Sequence, residues 1–133
     1  IGDHAIKIME QNEKCVEGGF IYSGAAKDEL LEICDMDLKL LEGTMKLFRE
    51  QSITPENWLA LRKMERKIIK RVSKAQTNHM ERLKNKECGF EQGLTFVEVL
   101  NSYLRIVNHT VNIEEACGSE VLVGLVKPEQ DKN

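Results

Sequence analysis

FEQGLTFVEVLNSYLRIVNHTVNIEEA, residues 90 to 116, carries two apolar rows interleaved at helical spacing. One row is Val97, Leu100, Leu104, Val107 and Val111; the other is Phe96, Val99, Tyr103, Ile106, Thr110 and Ile113. Both advance by threes and fours, the period of a helix face, and two such faces on one helix require neighbours on both sides. The spacing therefore predicts a helix wedged inside a bundle. What remains is a polar stripe of Glu98, Ser102, Arg105, His109 and Asn112, the place on this helix where chemistry or recognition could reside.

The rest of the chain reads in the same terms. A third segment starts with Thr54 as N-cap and Pro55 at the first helical position, where the missing N–H removes no hydrogen bond. Its seam is Leu61, Met64, Ile68, Val72, Ala75, His79 and Leu83, and Gly89 is read as its end. A second segment follows Ser23 as N-cap and runs to Glu50. Leu30, Cys34, Leu41, Met45 and Phe48 form one stripe on it and Ile33, Met36, Leu40 and Leu47 a second, so two helical neighbours are expected. The first segment spans residues 1–17 and is stopped by Gly18 and Gly19. Gly118 is read as the stop of the fourth. The expected fold is all-α, an antiparallel up-down bundle over residues 1–118, with an apolar tail, 119–133, that packs along the bundle or against another chain.

Composition narrows the function classes. The chain has 133 residues, with 19 Lys plus Arg against 22 Asp plus Glu, a balance opposed to a dedicated nucleic-acid or anionic-membrane binder. Cys15, Cys34, Cys88 and Cys117 form no CxxC pair, so no compact zinc site is indicated and they read as reduced, packed thiols. No apolar run approaches the roughly 20 residues of a spanning helix. There is no Gly-rich phosphate loop, GxSxG elbow or HExxH, so the chain is not expected to be an enzyme. No Glu-x-x-His precedes a histidine, which disfavours a ferritin-like di-iron centre. The basic residues Arg62, Lys63, Arg66, Lys67, Lys70, Arg71 and Lys74 read as a solvated face partly complemented by the acidic second segment.

An internal repeat adds information. At an offset of 105, Ile1 meets Ile106, His4 meets His109, Ile8 meets Ile113 and Glu10 meets Glu115; Asp3 faces Asn108 and Ile6 faces Val111. The matched histidines are not demanded by amphipathicity. Residues 1–17 then read as the last helix of a preceding unit and 23–118 as a complete three-helix unit, and the chain is expected to be cut from a longer one.

At these residues the sequence resembles the PhoU family of phosphate-uptake regulators, and within it the PhoU-like region of bacterial sodium/phosphate cotransporters. "IGDHAIKI" resembles a motif helix in which a Glu-Arg pair precedes Ile-Gly-Asp-His, "YSGAAKDEL" (22–30) the start of the next helix, and residues 79–113 the long closing region with its own motif. The resemblance implies three-helix units, homodimers, a cytoplasmic position at the inner face of the cell membrane, a transporter domain or phosphate transport machinery as partner, and regulation rather than catalysis. Some relatives bind metal through carboxylates four positions apart. Here Asp3 matches the second carboxylate of the first motif, whose partner would lie ahead of Ile1. In the second motif Leu104 and Asn108 stand at the carboxylate positions while Arg105, Ile106 and His109 match. Asp3 is thus the one metal position carried over, and no other cofactor is expected. His4, Arg105, Asn108, His109 and Asn112 form the candidate recognition set, with His109 read as a member of a polar network, His79 as a core or junction histidine, and His4 argued by analogy. Two alternatives stay open: a metal-dependent storage or redox bundle, and a structural coiled-coil adaptor.

Overall fold

The computed structural model describes residues 1–126, with side chains described as far as Gly118. The chain is all-α: α1 (Gly2–Gly18), α2 (Gly24–Glu50), α3 (Pro55–Lys84) and α4 (Phe90–Val126), with no strand among the described residues. Short loops force successive long helices to fold back on one another. Glu29 meets Arg82 and Glu32 meets Arg71, so α2 and α3 run antiparallel; Arg62 meets Glu115 and His79 meets Phe96, so α3 and α4 do too. These three helices pack on each other, while α1 lies along α4 alone. No described helix is long and apolar enough to cross a membrane.

The starts of α2 and α3 follow their caps. Ser23 Oγ accepts the Ala26 N–H at 3.2 Å and Thr54 Oγ1 accepts the Asn57 N–H at 3.2 Å, each satisfying an amide the helix leaves free. Gly19, at φ 66°, ends α1 in the left-handed conformation. Two other ends differ from expectation. Helix α3 stops at Lys84, five residues before Gly89, because Lys86 takes the left-handed position at φ 56° while Glu87 N–H donates to Arg82 C=O at 2.9 Å. A lysine fills the place usually held by glycine. Gly89 instead starts α4, its N–H donating to Gln92 Oε1 at 3.1 Å, half of a capping box. Gly118 is no stop either: α4 continues through it to Val126. An interior glycine costs a helix only about 1 kcal/mol relative to alanine, and this one lies under the Trp58 ring. The packing expected of residues 119–133 concerns side chains outside the described residues.

The core joins Ile33 and Leu40 of α2, Ile68, Val72 and Ala75 of α3, and Phe96, Leu100 and Val107 of α4. Burying each large side chain contributes roughly 1.5–3 kcal/mol. Leu61, Ile68, Val72, Ala75 and His79 are buried as the α3 seam predicts. On α2 the two expected stripes give way to one inner seam, Ala26, Leu30, Ile33, Asp37, Leu40 and Thr44, stepping 4, 3, 4, 3, 4. It passes through two polar residues. Met45 and Phe48, assigned to a core stripe from sequence, are exposed, as is Val97 at the start of α4.

Candidate functional site

The packed side of α1 is His4, Ile8, Gln11 and Cys15, again at steps of 4, 3 and 4. Laid antiparallel along α4, it brings His4 Nε2 to 3.2 Å from His109 Nε2, with the rings stacked at 5.2 Å between centroids and 23° between planes. At the other end Cys15 Sγ donates to Thr95 Oγ1 at 3.8 Å. These two histidines are the residues the repeat makes equivalent. The structure thus places the two repeat-matched histidines in direct contact where α1 lies antiparallel along α4.

The contact needs one ring nitrogen to donate and the other to accept, so it is compatible with at most one of the two rings being charged. Desolvation lowers the His4 pKa below its ordinary value, and the positive surroundings of His109, Lys7, the N-terminus and Arg105 push the same way. Beside the pair a polar cleft of about 380 Å³ runs between the two helices, lined by Lys7, Glu10 and Lys14 of α1 and Glu98 and Arg105 of α4, with the buried Gln11 and Ser102 also in its wall. This arrangement presents mixed charge beside a pair of histidines.

Of the sequence-derived set, the structure gathers His4, His109 and Arg105 around this crossing. Asn108 and Asn112 are exposed and take no part in a hydrogen bond among the described residues, so the polar network expected around His109 reduces to the single partner His4. Asp3 is exposed on the first turn of α1 and forms no ion pair with a described residue. Among the described residues no group of three or more His, Cys, Asp or Glu is placed to hold a metal ion. At the α4 position that the repeat pairs with Asp3 stands Asn108, whose neutral amide is a poorer ligand for a hard cation than a carboxylate. All four cysteines are free, Cys15 buried and the others half-buried.

Sequence reasoning placed His79 in the core, where it is buried, but missed the other titratable groups inside the three-helix core. Asp37 is 5% exposed with neither carboxylate oxygen hydrogen-bonded within the protein, and burial pushes its carboxyl up to about 7. Glu114 accepts the Thr44 hydroxyl at 2.6 Å and is raised by burial. Glu29 and Arg82 form a buried ion pair at 2.6 Å, with the Arg82 guanidinium over the Phe96 ring. His79 stacks on the same ring at 4.8 Å. Continuing the 3-and-4 alternation of the α3 seam beyond His79 lands on Arg82, which was the available signal.

No family model, curated protein or solved structure matches this chain.

Proposed function

We propose that the chain is a non-catalytic regulatory and interaction module of phosphate uptake, PhoU-like in organisation, acting at the inner face of the cell membrane through a sodium/phosphate cotransporter or related transport machinery. The observation that carries this reading is the meeting of His4 and His109. Two residues matched by an internal sequence repeat stand 3.2 Å apart, which supports a pairing of motif helices from successive repeated units. The proposed mechanism is conformational. A metal ion, anion or partner bound at the polar faces of the crossing changes how α1 sits on α4, and the transporter responds to that change. Because α1 is held by α4 alone, this crossing is the joint in the described structure with the least support from other elements. The test is phosphate uptake by cells carrying the paired substitutions His4→Ala and His109→Ala. Altered uptake at unchanged protein level supports the reading; unchanged uptake contradicts it.

One further observation favours a second reading, a coiled-coil adaptor. Leu31, Cys34, Leu38, Leu41, Met45 and Phe48 step 3, 4, 3, 4, 3 along α2, and Leu31, Leu38, Met45 and Phe48 are exposed. An a/d row whose members are mostly exposed matches the seam of a coiled coil. It also offers a surface for the homodimer. A monomer that keeps full function after Leu38→Lys removes this reading.

A further inference from the structure

Where the α3–α4 turn meets the N-terminus of α2, a cavity of about 140 Å³ lies between His79, Arg82, Phe96, Ser23, Ala26 and Gln92. The inside of a helical bundle normally leaves no charged group beside open space. Here two of the walls are polar side chains more than nine-tenths buried: His79 is 3% exposed and Arg82 8%. Each keeps a nitrogen, His79 Nε2 and Arg82 Nη2, without a hydrogen-bond partner in the protein. Arg82 commits Nη1 to Glu29, which is not part of the cavity wall, and retains its second terminal nitrogen for something else.

We infer that this cavity is a binding site for a small oxyanion, held by Arg82 Nη2 and His79 Nε2 against the N-terminal end of α2. The chemistry selects the class. A guanidinium is permanently charged and offers paired donors matched to phosphate or carboxylate oxygens, and it repels cations. Burial and the Arg82 charge lower the His79 pKa, against smaller opposing effects of Glu29 and the Gly93 backbone, and so favour the neutral ring; in its Nε2–H tautomer that ring donates without adding a second buried charge. Helix α2, 27 residues long, directs the positive end of its dipole at Ser23 and Ala26, where an anion is stabilised. The volume suits one tetrahedral or planar oxyanion, since a water molecule takes up roughly 30 Å³ of liquid. Gly93 packs closely here: a Cβ there would stand 3.2 Å from Leu83 and 3.3 Å from the His79 ring, so a larger residue would press on both. Glu87, exposed, lies at the edge of the cavity and opposes an anion. The site uses none of the residues of the α1–α4 crossing and stands independently of the phosphate-uptake reading.

The test is a titration of the whole chain with inorganic phosphate, and separately with acetate, at fixed ionic strength set by chloride, followed by NMR of the His79 ring and Arg82 guanidinium. Saturable shifts of both signals are expected, and the stronger of the two ligands separates phosphate from carboxylate as the preferred anion. Glu87→Gln is expected to tighten binding roughly fourfold, the effect of one unit charge removed several ångströms away in a mostly aqueous surrounding. Because Arg82→Met alone would strand Glu29, the deletion variant is Glu29→Met with Arg82→Met, which removes both charges and is expected to abolish binding while keeping the fold. Signals of His79 and Arg82 that do not move beyond the chloride control, or saturable binding that survives in the double variant, would overturn the inference.

Discussion

Asp37→Asn is the substitution whose effect follows most directly from the structure. The carboxyl sits in the α2 seam with both oxygens unpartnered inside the protein, and burial takes its pKa from 3.8 to about 7. A raised acid pKa means that the native state holds its proton where the unfolded chain has already released it. Stability is then full below pH 3.8, falls as pH rises from there to about 7, and is level above. At about 1.4 kcal/mol per pH unit the total is about 4 kcal/mol, a large part of the stability of a domain this size. Asparagine keeps the shape and cannot ionise. The variant should match the parent near pH 4 and exceed it by up to about 4 kcal/mol at pH 8, read from urea midpoints and slopes across that range. Glu114, raised in the same direction, and His4 and His79, both lowered, add their own pH dependence to each protein. These contributions cancel in the difference between parent and variant. A difference that stays flat from pH 4 to pH 8 would refute the assignment of Asp37 as an unpartnered buried acid.

Other expectations follow from particular contacts. Gly118→Ala should raise stability by about 0.5–1 kcal/mol in thermal melts, because the residue is helical and a Cβ would stand 3.5 Å from Trp58, an ordinary contact; a loss would mean that the helix does end there. Glu29→Ala should destabilise by about 3–5 kcal/mol in urea unfolding, since it leaves the Arg82 charge buried without its partner. NMR titration of the ring protons should place the His4 pKa below its ordinary 6.5 and move it up when His109 is replaced by glutamine, because one of the groups opposing its charge is then gone.

Elements with local chemical signatures could be read from the chain directly. Ser23, Thr54 and Pro55 mark helix starts because a hydroxyl or a missing N–H acts within one turn, and the apolar row from Leu61 to Ala75 needs only a period to be recognised. Features set by long-range packing could not. The α2 seam was split in two because Asp37 and Thr44 look like surface residues until α3 and α4 enclose them. The α3 end was displaced because Lys86, not a glycine, takes the left-handed turn. Gly118 looked like a stop because its packing partner, Trp58, is 60 residues away in sequence. At the candidate site, the repeat singled out His4 and His109 as equivalents, but the Nε2–Nε2 contact depends on the antiparallel register of α1 on α4. In the Glu29–Arg82–His79 cluster the α3 seam marked His79 and its continuation reaches Arg82, but nothing local marked Glu29 as their buried partner on α2.

The most direct measurement is co-purification of the chain with the membrane domain of a sodium/phosphate cotransporter from membranes of the same cells. Stoichiometric capture of the transporter that weakens with Arg105→Ala and His109→Ala, while the circular dichroism of the variants is unchanged, is the predicted result. A folded chain that captures no transporter, or captures it equally well without those side chains, would contradict the regulatory role assigned to the α1–α4 crossing.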